Sequence, residues 1–516
     1  MVTFADVQPK QTMGQLSMFD RIIFKGHLTG LYPKGNFSWF LRQQGVLLKE
    51  FGPYAKASTE QVKVHAQAMA QEAGRAYVYL AGAKTQASGQ SKEDIAREIA
   101  ERDGVTEGLI CVLATLELSS SFDIRGNYQT KQKEVIRRQR KCLHIYFYYL
   151  DREFGLMHIR LQSWFPFEIQ VYINGREWLA RQLDQQGIAY ERYDNCLLRI
   201  DDLATAQQLC DRFGHREWAR VLNAFARRVN PVLPTIEQSG FSGYYWVINQ
   251  CEIATDLMFK DRTSLTSILP DLFQEAILAF SAEDVMRFLG RKLHGNFQGD
   301  VTTDLKKRPE GRRVKHRSKG NSIKMYDKAS VLRIETTINK SREFKVLKSE
   351  DDGQRRWKPM SKGVSNFWRF YQVGQQANQR YLTALAHIQL KGDGVQALDD
   401  LCRSRTKHGK RFAKFNPVSR DDCALFAAAM AGDHVINGFR NRDLRAHLYA
   451  TPAKTSHEAR RRCARVSRLI AKLRGHGLIA KVQGSRLYRV TKRGYQIMAA
   501  ALSFRLVDFP TTFCAA

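Results

Sequence analysis

NSIKMYDKASVLRIETTIN, residues 321–339, closes the segment RRVKHRSKGNSIKMYDKASVLRIETTIN that begins at Arg312. It reads as two strands, Asn321 to Lys328 and Val331 to Asn339, joined by a tight turn at Ala329-Ser330. In the second strand Leu332, Ile334, Thr336 and Ile338 alternate with Arg333, Glu335, Thr337 and Asn339. In the first, Ser322, Lys324, Tyr326 and Lys328 share one face, and Ile323 and Met325 share the other. A face carrying a phenol, two amines, a guanidinium and a carboxylate is costly to bury unless it is wet or acts on something charged. The same groups suit phosphodiester chemistry: tyrosine as nucleophile, cations on phosphate, a carboxylate on a metal. A solvated sheet face with ordinary ion pairing fits the spacing equally well.

Charge narrows the partner. The 516 residues hold 82 Lys+Arg against 51 Asp+Glu, a net charge of +31, which points to a polyanion and first to nucleic acid. Basic residues recur from Arg287 through Lys348, in Arg403 to Lys414 and in Arg460 to Arg474, an extended footprint rather than one tail. No run of eighteen apolar residues, signal peptide or lipidation motif is visible, so no membrane partner is expected. Nine scattered cysteines without a CxxC pair indicate neither a zinc site nor a disulfide framework, which fits a cytoplasmic protein.

The pattern I-K-x-Y-D-K, a short turn, then L-R-x-E resembles the core of rolling-circle replication initiators (Rep proteins) of plasmids and filamentous phages. The likeness is confined to the hairpin and its approach. It implies a site-specific DNA-nicking enzyme, with Tyr326 as nucleophile, Glu335 as ligand of a divalent metal (Mg or Mn), and Lys328 and Arg333 as phosphate contacts. One departure is plain: no His-hydrophobic-His metal motif is present. His316 stands alone beside the hairpin, and His144 and His158 lie far from it in sequence.

The chain reads as α+β and multidomain. Residues 1–230 form an N-terminal domain of antiparallel sheet and helices without an assignable motif. His144 and His158 fall in adjacent strands; Arg160, Trp164 and Tyr172 are a candidate base-stacking platform or simply core. Pro231 and Pro234 mark a boundary. Residues 231–350 then read as a central Rep-like sheet domain of ferredoxin-like type. There Tyr244 to Phe259 is one long strand that brings Asp256 beside Glu335, where the two share a divalent cation or one of them is a strand-edge carboxylate paired to Arg333; spacing does not separate the two. Residues 351–419 are a helical extension and a basic linker; Tyr371 and Tyr381, on a helix, are alternative nucleophiles.

Residues 420–505 give three helices, a hairpin with its turn at Gly484-Ser485, and a closing helix capped by Thr491. The stretch "LIAKLRGHGLI…YRVTKRG" resembles winged-helix domains of MarR type. On its third helix Ala459, Cys463, Val466, Ile470 and Leu473 fall at core spacing. Arg461, Arg465, Arg468 and Lys472 form a basic stripe suited to duplex DNA, and Arg486 lies near the wing tip.

Three functions therefore stand. The first is a replication-initiator-like nicking protein, binding duplex through the winged helix and single-stranded DNA at the centre, with Lys324 as a further nucleic-acid contact. The others are a non-catalytic DNA-binding regulator and an RNA-binding component of a mobile-element or defence system.

Overall fold

The computed structural model describes residues 11–508 except 33–34, 82–89, 130, 291–300, 309–310, 350–353, 387–398, 408, 433, 435–437 and 483. Among them, eleven strands build one large mixed sheet. These are β1 (Thr12–His27), β2 (Ala76–Tyr79), β3 (Gly108–Gly126), β4 (Lys133–Asp151), β5 (Gly155–Gln162) and β6 (Ile169–Asn174), then β9 (Tyr245–Phe259), β10 (Val301–Arg308), β11 (Gly311–Ser318), β12 (Asn321–Lys328) and β13 (Val331–Ile338). A separate hairpin, β7 (Tyr190–Tyr193) and β8 (Cys196–Ile200), lies between the two groups in sequence. The order is β10-β11-β12-β13-β9-β1-β6-β5-β4-β3-β2, antiparallel throughout except for β2 beside β3. The protein is α+β.

The same layout occurs twice. β1 is followed by helices and then by the meander β3 to β6, whose last strand returns to pair with β1. β9 is followed by two helices and the meander β10 to β13, whose last strand returns to pair with β9. β1 and β9 then pair with each other at the centre. The expected boundary at residue 231 therefore falls inside one continuous sheet. The expected ferredoxin-like βαββαβ order is also not seen, because four consecutive antiparallel strands follow the helices after β9.

The hairpin read from sequence forms as expected: β12 and β13 pair with Tyr326 opposite Arg333 and Lys324 opposite Glu335. Its turn needs a left-handed residue, and Ala329 takes it at φ 48°. Ile323, Met325, Leu332 and Ile334 are fully buried on the other face. That face is covered by helices Phe367–Leu385, Leu203–Phe213, Trp218–Val229 and Phe51–Glu72, and one apolar cluster runs from Leu16 to Ala386. Each large apolar side chain buried there contributes about 1.5–3 kcal/mol. The helix Phe367–Leu385 comes close because Gly374 faces Ile253, where a Cβ would meet the Ile253 side chain at 2.7 Å. Asn378 on this helix then reaches the sheet: its Nδ2 donates to the Ile253 carbonyl (2.9 Å) and to Thr255 Oγ1 (3.0 Å), and Thr336 Oγ1 donates to its Oδ1 (2.7 Å).

Beyond the sheet come two hairpins, β14 (Lys345–Ser349) with β15 (Arg355–Pro359) and β16 (Arg405–Lys407) with β17 (Lys410–Phe412). The latter lies within the expected basic linker. The C-terminal module has helices Arg420–Ala429, Asn441–Leu448 and Ser456–Gly475, the hairpin β18 (Ile479–Lys481) with β19 (Tyr488–Val490), and helix Lys492–Ser503. It encloses a core of its own around Phe426, Leu444, Val466, Ile470, Leu473 and Met498. Thr491 caps the last helix by accepting from the Gly494 amide (3.0 Å), as its sequence position implied.

Candidate active site

The site is built by an irregularity in β1. Phe19 pairs with Ile253 and Ile22 with Cys251, so two residues, Asp20 and Arg21, stand opposite the single residue Glu252. Such a bulge turns both side chains toward one face and locally bends the strand. Here it adds Asp20 to the face already carrying Glu252 from β9, Glu335 from β13, and Lys324 and Tyr326 from β12. Oxygens of Asp20, Glu252 and Glu335 all lie within 4.8 Å of one another. All three residues are buried, yet they border an open cleft of about 410 Å³ that is also lined by Arg21, Arg312, Arg313, Tyr326 and Lys328.

Tyr326 is half-buried in the wall of this cleft. Its hydroxyl donates to Glu335 Oε2 at 3.1 Å, and Asn195, from the β7–β8 turn, approaches the same hydroxyl at 3.5 Å. The Lys324 ammonium bridges the carboxylates, bonded to Glu335 and 3.7 Å from Glu252. Burial alone would raise Glu335, but Lys324 brings its carboxyl below the ordinary range. Glu252 has no such close partner: burial, then repulsion from Glu335, pushes it up to about 7. Burial holds the Tyr326 phenol well above its usual value, with Arg333 opposing. Among the three carboxylates stands one ammonium, that of Lys324. Three convergent carboxylates are an all-oxygen donor set that suits a hard divalent ion such as Mg²⁺ or Mn²⁺.

Of the residues singled out in the sequence, Tyr326, Glu335, Lys324 and Lys328 come together around the cleft; Arg333 and Asp256 do not serve as expected. The Arg333 guanidinium is fully buried and forks onto Asp256 (Nε–Oδ1 2.5 Å, Nη2–Oδ2 2.6 Å), with Nη1 3.4 Å from Asp20 Oδ2. Asp256 therefore spends both oxygens on Arg333 and is not a metal ligand; Arg333, pinned beneath the cluster, has no route to a phosphate. It aligns Asp20 instead. Arg176 does the same from the other side (Nη1–Oδ1 2.9 Å). That reach depends on Gly175, where a Cβ would meet the Phe19 carbonyl at 2.7 Å. Lys328 is ion-paired to Asp194.

The other aromatic and histidine candidates take no part in this centre. Tyr371 is buried with its hydroxyl on the Ser17 carbonyl (2.8 Å), and Tyr381 is buried with its hydroxyl 2.9 Å from His316 Nε2. His144 lies opposite Gln162 and His158 opposite Tyr148, so the two histidines do not meet. Trp164 and Tyr172 are nearly covered, the indole donating to the Phe122 carbonyl (2.9 Å), which leaves no exposed stacking platform.

Sequence reading passed over Asp20 as a site residue, although a carboxylate inside the apolar run MFDRIIF was a visible anomaly. In the C-terminal module Arg461, Arg465 and Arg468 are exposed along one helix, and Arg486 is exposed at the hairpin tip. Lys472 departs from the stripe: it bonds Asp422 (3.1 Å) and lies 3.8 Å over the Phe415 ring. No helix among the described residues is long and apolar enough to cross a membrane. No protein-family model, curated protein or solved structure matches the chain.

Proposed function

We propose that this chain is a replication-initiator-like protein that nicks and rejoins DNA through Tyr326. The observation that carries the reading is the Tyr326 hydroxyl bonded to Glu335 inside a three-carboxylate cluster at an open, arginine-edged cleft. Asp20, Glu252 and Glu335 would hold a divalent cation, which when bound supplies Lewis-acid polarisation of a phosphodiester. Glu335 is placed to take the phenol proton as the Tyr326 oxygen attacks phosphorus. One Tyr–O–P bond forms, one P–O bond to the sugar breaks, and the displaced sugar oxygen takes up a proton. No oxidant, reductant or nucleotide is consumed, and reversal by that hydroxyl restores the strand. Arg312 and Arg313, at the cleft edge, would hold the flanking phosphates.

The C-terminal module, with three helices, a hairpin and a helix, supports the winged-helix reading; its exposed arginines would bind duplex and deliver the strand to the cleft. The test is incubation with supercoiled and single-stranded DNA with Mg²⁺ or Mn²⁺, followed by denaturing electrophoresis. A protein–DNA adduct that Tyr326→Phe abolishes is the expected result. Tight DNA binding with neither nick nor adduct would overturn it in favour of a non-catalytic regulator, and binding restricted to RNA would favour the RNA-binding reading.

A further inference from the structure

The face that carries the nicking centre continues along β1 into the other half of the sheet. Past the bulge, Arg21, Lys25 and His27 on β1 and Asn174, Tyr172 and Gln170 on β6 share one side, by strand alternation and the pairings of Arg21 with Asn174 and Lys25 with Gln170. This side opens into a second cleft, of about 480 Å³, walled by β1, β5, β6 and the start of the long β3–β4 ribbon. Its charge balance is opposite to that of the first. Three cations, Lys25, Arg137 and Arg160, line it beside one carboxylate, Glu168, while Glu117 and Lys92 stand outside its lining. Glu168 is held by Lys25 (2.7 Å), His27 (3.2 Å) and Arg137 (3.7 Å), and Glu117 by Arg160 (2.9 Å) and Lys92 (3.1 Å).

The cleft also contains polar atoms that the protein leaves unpaired. Gln162 is 1% exposed; its Nε2 donates to Ser121 Oγ (3.0 Å), but its Oε1 has no partner, and Arg160 Nε and Ser119 Oγ are likewise unpaired. A buried acceptor left without a donor is destabilising, and a ligand donor would relieve that cost. His144 gives its Nδ1 to the Cys142 carbonyl (3.2 Å), so in the neutral ring Nε2 is a second acceptor. Cations at the rim and acceptors within match a phosphate bound to a base that carries an amino group.

We propose that this cleft is a second binding site, which seats one nucleotide of a single DNA strand, with its phosphate on Lys25, Arg137 and Arg160 and its base on Gln162 and His144. The assignment rests on the nicking reading for the polymer: the two clefts lie on one face, with Asp20 and Lys25 about 17 Å apart along β1. A third cleft, sharing Arg21, Asp194 and Asn195 with the first, adds Arg97, Arg176 and Arg192, with Glu93 paired to Arg97 and Glu177 to Arg192. A strand cut at Tyr326 would thus be gripped a few nucleotides away, fixing which bond reaches the phenol.

The test uses full-length Tyr326→Phe without divalent metal, so that binding is read apart from cleavage. A fluorescent twelve-nucleotide single strand is titrated at several salt concentrations. Lys25→Ala with Arg137→Ala, at partly exposed positions, should weaken binding about tenfold and lower the log–log salt slope by about 0.7, because one phosphate would no longer be neutralised by the protein. Gln162→Leu should leave the slope intact and alter the ranking of homopolymers. Unchanged affinity and slope in a double variant that melts like its parent would overturn the site, whether or not Tyr326 forms an adduct. Oligonucleotide binding abolished in the double variant would uphold it even if no adduct is ever seen. A mononucleotide that raises the melting temperature only with the cleft intact, the twelve-mer being unaffected, would overturn the strand in favour of a free nucleotide.

Discussion

The two halves of the sheet share a layout and differ in chemistry. Around β9, β12 and β13, carboxylates converge with too few cations, and Glu252 is left with its proton held to about 7. Around β1, β5 and β6, each carboxylate is matched at least once: Glu117 takes Arg160, Lys92 and the Tyr146 hydroxyl, and Glu168 is drawn down to about 2 by His27 and Lys25 against the upward pull of burial. Where the C-terminal half presents Tyr326 in an open cleft, the N-terminal half stacks His158 on Tyr172 (ring centroids 5.0 Å apart). A repeated scaffold thus gathers carboxylates in one half and cations in the other. The side chains, rather than the fold, separate their proposed roles.

The sharpest way to break this contrast is Tyr326→Phe. If the C-terminal half is the reactive one, loss of the nucleophile should remove about 10⁴-fold or more of strand cleavage, read as nicked plasmid or adduct. His158→Phe, in the corresponding meander of the other half, should leave cleavage within a few-fold. Equal losses would mean that both halves merely scaffold.

Asp256→Ala comes next. It removes the partner of a fully buried guanidinium, which costs about 3–5 kcal/mol, measured by chemical denaturation. Arg137→Ala, at a partly exposed ion pair, should cost under about 1 kcal/mol. A small effect of Asp256→Ala would show that water reaches Arg333.

The contrast also has a pH signature. Glu252 has a folded pKa above its unfolded one, so its stabilising contribution is complete below about 4.5 and is lost as pH rises through about 7. A divalent ion must displace that proton below pH 7, so its apparent affinity should fall up to tenfold per pH unit from 7 to 5 and flatten above 8. The readout is the Mn²⁺-induced rise in melting temperature across pH. Glu252→Gln should weaken binding and abolish the trend; a pH-independent rise would place the ion elsewhere.

Much of the centre was legible because alternation is a local signal. The faces of β12 and β13, and with them Lys324, Tyr326 and Glu335, follow from period two alone. What escaped depended on pairings between distant residues. Asp256 and Arg333 were both visible, but only the β9–β13 register makes them partners and removes both from the chemistry. Asp20 is 232 residues from Glu252, and it faces the cluster only because β1 bulges opposite β9. The boundary expected at 231 lies between strands of one sheet for the same reason: prolines mark a local turn, whereas sheet continuity is set by which strands find each other.

The smallest expected effect concerns the C-terminal helix, where sequence periodicity placed four cations in one stripe and the structure divides them. Arg465 and Arg468 are exposed, Arg465 only 3.7 Å from an exposed Asp421. Such a pair in water is worth at most about 1 kcal/mol and yields readily to a phosphate. Lys472 is different. Its ammonium is bonded to Asp422, itself hydrogen-bonded to the Ser419 and Asn416 turn, and packs on Phe415, so moving it to DNA would break interactions that hold the module's first helix. If the helix binds duplex, Arg465→Ala with Arg468→Ala should lower the log–log salt slope by about 1.8 and weaken binding at low salt. Lys472→Ala should leave the slope unchanged while lowering the module's melting temperature. A slope that falls by about 0.9 for Lys472→Ala would mean that the lysine leaves Asp422 on binding and that the stripe read from the sequence is restored on DNA.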